Sequence, residues 1–123
     1  MKKFVVGLGI IVLLLPASIS YAGSLLFDNA TSVGTGQAKS VKKASSYTVV
    51  ATFANTSSLT LTLDGSIDNA TYPVFGAYSA NSADIANGYV IFHVNDKVAE
   101  HIRPRITTLT GGGASVDVTV SYK

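Results

Sequence analysis

The stretch Ser115–Tyr122, SVDVTVSY, alternates without a break. Val116, Val118, Val120 and Tyr122 fall on one side, and Ser115, Asp117, Thr119 and Ser121 on the other. A two-residue period is that of an extended strand with one face against a core, whereas a helix would repeat its apolar residues every three or four positions. The same period recurs upstream. Ser46–Phe53 places Tyr47, Val49, Ala51 and Phe53 together, and Ser58–Leu63 does so with Leu59, Leu61 and Leu63. Tyr72–Tyr78, Gly88–Val94 and His101–Leu109 read as further strands. Between them stand turn residues: Ala54-Asn55-Thr56-Ser57, Asn95-Asp96-Lys97 and Gly111-Gly112-Gly113. Asn81–Asn87 is a longer polar connection with room for one helical turn. Short strands at this spacing, with no period of 3.6 beyond the N-terminus, predict an all-β fold: an antiparallel, jelly-roll-like β-sandwich of seven to eight strands.

The N-terminus is a different kind of sequence. Met1-Lys2-Lys3 is basic, Phe4–Leu15 is continuously apolar, and Ser20-Tyr21-Ala22 supplies small residues after Pro16. That is the pattern of a cleaved secretory signal helix over residues 1–22. The apolar run is about 12 residues, short of the roughly 20 that span a bilayer, so membrane contact is expected only in transit through the signal. The rest divides into an N-terminal arm or first strand, 23–45, and a sandwich body, 46–123. Together they form one domain on length alone. The expected location is outside the cell or on its surface, with the periplasm as the alternative compartment.

Export changes the charge argument. The full chain has nine Lys and Arg against seven Asp and Glu. Lys2 and Lys3 leave with the signal, so seven face seven and the net charge is zero. A basic nucleic-acid footprint is therefore not expected. The chain has no cysteine, so an exported domain of this size must hold itself by packing, by metal, or by association.

Few residues suggest chemistry. Leu63–Pro73, LDGSIDNATYP, gathers Asp64, Ser66, Asp68 and Asn69, oxygen donors that calcium favours. The spacing is not that of a known calcium loop. The competing reading is a turn in which Asp68 caps backbone N–H groups and Asn69 takes a left-handed conformation. No other cofactor is expected. His93 and His101 lie on successive strands and would face each other across a hairpin, with Glu100 near, as a weak zinc set; the favoured reading makes them ordinary residues of the polar strand face. Arg103-Pro104-Arg105 puts two guanidinium groups on one face, and its proline predicts an edge strand or a bulge. Nothing pairs a nucleophile with a base, so no enzyme activity is expected. Tyr72, Tyr78 and Tyr89 are candidates for stacking on a sugar. Leu25, Leu26 and Phe27 form a short apolar patch that serves either as the first strand of the chain's own sheet or as an assembly strand on a neighbouring subunit.

Ser66-Ile67-Asp68-Asn69-Ala70-Thr71-Tyr72 resembles the S-x-D-G-x-x-W hairpin of discoidin-like sandwiches and of small β-sandwich modules in phage virion proteins. His101-Ile102-Arg103 stands where those modules carry an aromatic-hydrophobic-Arg strand. Asn69 replaces the usual glycine and Tyr72 the usual tryptophan. The resemblance implies a structural latch of Asp68, Asn69, Tyr72 and Arg103, with Asp68 paired to Arg103; it carries over no ligand residues. From these readings the expected function is that of a secreted structural or assembly protein, a β-sandwich subunit of a filament, surface layer or virion-like particle. Its partner would be itself or a surface. The alternative is a secreted glycan- or ligand-binding module.

Overall fold

The computed structural model describes residues 23–123, and the apolar leader read over 1–22 lies outside the described residues. The strands are β1 (Gly23–Ala30), β2 (Gly34–Thr35), β3 (Lys39–Ala44), β4 (Tyr47–Ala54), β5 (Ser58–Ser66), β6 (Val74–Ser79), β7 (Tyr89–Val94), β8 (Ala99–Thr110) and β9 (Ser115–Tyr122). A short helix, α1 (Ser82–Asn87), joins β6 to β7. Asn81 starts it with a reciprocal capping box to Asp84, and Gly88 ends it at φ 82°.

Two antiparallel sheets pack face to face. The first has the order β1-β9-β4-β7, and the second β2-β8-β5-β6 with β3 also on β8. If β2 and β3 count as one interrupted strand, this is the eight-strand order of a jelly roll. Its core is made by the alternating positions of both sheets. Val49, Ala51, Val116, Val118 and Val120 from the first sheet meet Leu59, Leu61, Leu63, Ile102 and Ile106 from the second, all buried. Each of the valine, leucine and isoleucine side chains contributes about 1.5–3 kcal/mol by leaving water. Tyr47 is buried among them with its hydroxyl donating to the Ala44 carbonyl at 2.6 Å, which removes the cost of an unpaired phenol.

β1 pairs with β9 of its own chain. An irregularity between the Val118–Phe27 and Thr119–Leu25 pairs places an extra residue, Leu26, in β1. Leu26 is buried and Phe27 packs against the core, while Leu25 points out, 51% exposed. In this structure the patch Leu25–Phe27 lies in the first strand of the chain's own sheet.

Two expectations are corrected. His93 and His101 do not oppose each other, because β7 and β8 belong to different sheets and the turn between them crosses the sandwich. Pro104 is neither on an edge strand nor at a bulge: β8 lies inside the second sheet, between β5 and the β2/β3 pair. The sheet accommodates it by breaking the neighbour. β2 pairs up to Arg105 and β3 resumes at Ile102, leaving residues 36–38 opposite the proline. The Pro104 carbonyl accepts the Gly36 N–H at 2.8 Å, so the side of Pro104 that lacks a donor faces this interruption.

Candidate functional site

The hairpin between β5 and β6 is built around one carboxylate. Asp68 Oδ1 accepts the Ser66 hydroxyl and the N–H groups of Ala70 and Thr71, each at 2.9 Å. These donors, the Thr71 amide first, hold the carboxyl down from 3.8 to about 2. Asn69 sits at φ 60°, a conformation asparagine tolerates better than most residues. Its side-chain oxygen accepts the Tyr72 hydroxyl. Across the Tyr72 ring, 3.9 Å from its centre, lies the Arg103 guanidinium, within cation–π range.

Asp68, Asn69, Tyr72 and Arg103 therefore form one cluster, but not through the contact implied above. The Asp68–Arg103 ion pair is not made. Among the described residues the ion pair on this face joins Asp64 to Arg105, Nε to Oδ2 at 3.0 Å. Thr62 donates to the other Asp64 oxygen at 2.9 Å. Burial explains the exchange. Asp64 is 1% exposed and requires a counter-charge, whereas the exposed Asp68 is already satisfied by its own loop.

The two carboxylates are thus committed to separate partners, and no group of three or more His, Asp or Glu among the described residues could hold a metal ion. Beside the hairpin is a shallow pocket of about 320 Å³ lined by Gly65, Ile67, Pro73, Phe75 and Val98, among others. Its base is tight: a Cβ on Gly65 would lie 2.1 Å from the Phe75 ring.

The three tyrosines do not form one platform. Tyr72 lies against Arg103. Tyr78 stacks on the core residue Phe92, centroids 5.7 Å apart, and its hydroxyl donates to Asp84 at 2.8 Å. That bond to a carboxylate pushes the Tyr78 phenol up. Tyr89 lies on the outside of the other sheet, 47% exposed.

The outer face of that first sheet is of another character. Register aligns Leu25, Thr119, Val50 and Ile91 in one row across all four strands. A second row holds Asp117, Thr52 and Tyr89, and a third Ser121, Thr48 and His93. Asp117 is the one carboxylate in these rows, and it accepts the Asn29 N–H. Leu25, Ile91 and Tyr89 are each about half exposed. Both arginines lie instead on the second sheet, in β8. Sequence reading passed over this face because its members come from four distant strands, and only the register brings them into line.

No family model and no curated protein matches the chain. Among solved structures it is similar to "Crystal structure of SPBc2 prophage-derived protein YomS", at 10% identity with a TM-score of 0.60, covering 92% of this chain and 99% of that one. It is also similar to "CBM4 structure and function", at 14% identity with a TM-score of 0.43, covering 87% of this chain and 74% of that one. The first likeness establishes a shared β-sandwich fold.

Proposed function

We propose that this chain is a structural subunit, an exported β-sandwich that packs with copies of itself into an extracellular filament, surface layer or virion-like assembly. The observation that carries the proposal is the outer face of the first sheet: a row of Leu25, Thr119, Val50 and Ile91, beside the exposed Tyr89 and with a single carboxylate. Large apolar side chains exposed together on one face, here Leu25, Ile91 and Tyr89, favour an interaction surface, and low charge at its centre is the composition of an interface core. Zero net charge after loss of the leader favours association. The prophage origin of the similar protein fits a virion-like setting, but that likeness concerns the fold; the function rests on the face.

Negative-stain microscopy of concentrated protein, beside the variant Val50→Asp, tests this reading. Val50 is half-buried in the middle of the row, where a carboxylate would enter any contact. Ordered assemblies that the variant loses are expected. Dispersed single particles from the unaltered protein at every concentration would overturn the reading.

A further inference from the structure

Each sheet of an open sandwich ends in strands with unpaired backbone groups, and natural proteins block such edges with bulges, lysines or proline. Among the described residues, three of the four edges carry such features. β1 is twice irregular against β9. β3 shifts register between Ser40 and Ala44, where Lys42 and Lys43 both adopt positive φ, 50° and 63°, and both are exposed. β6 follows Pro73, with a register shift at its start.

The fourth, β7, has none of these. Tyr89–Val94, YVIFHV, pairs with β4 in unbroken register. It contains no proline, lysine, glycine or positive φ. Its free groups can be identified. The Phe53 N–H bonds the Gly88 carbonyl at 2.9 Å, making Phe53 and Gly88 a hydrogen-bonded pair. Alternation along an antiparallel ladder then turns Val90, Phe92 and Val94 towards β4, and leaves the N–H and C=O of Tyr89, Ile91 and His93 pointing away.

We propose that β7 is the contact edge between two copies of this chain, paired antiparallel about a two-fold axis at Ile91. The proposal rests on the assembly reading above and names its contact. Three outward residues at two-residue spacing are self-complementary: Ile91 meets Ile91 of the second copy, and Tyr89 meets its His93. No side chain with a fixed charge lies on the strand, so self-pairing opposes no like charges. The union makes one eight-stranded sheet, and the row through Leu25, Thr119, Val50 and Ile91 continues across the axis for about 34 Å at the usual strand spacing. A six-residue edge buries less than the roughly 1,200–2,000 Å² of stable complexes, so the dimer is concentration-dependent and suits repeated use in an assembly.

The absence of cysteine allows a direct test. Hydrogen-bonded antiparallel partners sit about 5.5 Å apart at Cα, within disulfide range. Ile91→Cys is expected to give a covalent dimer under mild oxidation, and Val50→Cys to stay monomeric. Ile91→Lys, which sets two like charges on the axis, is expected to weaken dimerisation about tenfold or more, with an unchanged circular dichroism spectrum because residue 91 is half exposed. Cross-linking of Val50→Cys but not Ile91→Cys would overturn the edge contact while leaving self-association through the face intact. If neither cross-links, the edge contact is also overturned, and sedimentation of the unaltered protein then shows whether the assembly reading falls with it.

Discussion

Asp64 lies directly opposite Arg103 in the β5–β8 ladder, yet its carboxylate takes Arg105. Arg103 turns to the ring of Tyr72 instead. The face is thereby held by two separate contacts, one ionic inside the sheet and one cation–π at the hairpin.

Removing Arg105 would leave Asp64 buried with only Thr62 as a partner. Arg105→Ala is expected to cost about 2–4 kcal/mol, below the usual range for a broken, fully buried pair because the arginine is 36% exposed. Asp64→Leu combined with Arg105→Met should recover most of the loss. Urea denaturation of the three proteins measures both effects, and a double variant no more stable than Arg105→Ala would refute the pairing argument.

Gly65 is required for space rather than for backbone freedom. In Gly65→Ala the new methyl would collide with Phe75, whose ring packs 6.2 Å from Tyr47. A loss of about 1–3 kcal/mol is expected. Phe75→Leu in the same chain should return part of it, and a stability equal to the parent in Gly65→Ala alone would show that the pocket base is loose.

The Asp68 carboxyl titrates lower in the folded chain, at about 2, than its ordinary 3.8. Its contribution is therefore complete above pH 4 and is lost as pH falls through 2. Asp68→Ala should melt at a lower temperature than the parent at pH 6, with the gap closing between pH 4 and 2. A gap that persists unchanged at pH 2 would assign the effect to something other than ionisation.

Tyr72→Leu removes the ring under Arg103 and the hydroxyl on Asn69. Faster amide exchange is expected at Ala70 and Thr71, with a global cost of about 0.5–1.5 kcal/mol. Tyr72→Phe should keep the larger share, because the ring face remains.

What the sequence made legible were local relations. Alternation in Ser115–Tyr122 and in Leu59-Leu61-Leu63 assigns the core face, because side-chain direction in a strand depends only on position parity. The turn at Asp68 and Asn69 is likewise written in residues two or three apart. The remainder depends on register between distant segments. Which carboxylate meets which arginine was settled by the β5–β8 pairing and by the burial of Asp64. Pro104 misled because proline is tolerated inside a sheet when the neighbouring strand breaks opposite it, as residues 36–38 do. The histidines misled because Asn95-Asp96-Lys97 resembles a hairpin turn but leads from one sheet to the other. Apart from Leu25, the plain row on the first sheet gave no signal, since threonine, valine and isoleucine are ordinary strand residues until they are aligned.

Sedimentation velocity over a concentration series tests the central claim of self-association through the first sheet most directly. The weight-average mass of the purified protein is expected to rise above that of one chain with concentration, while Ile91→Lys remains near the monomer and Val50→Asp goes no further than the edge-paired dimer. A single monomeric boundary for the unaltered protein across the whole series would contradict it.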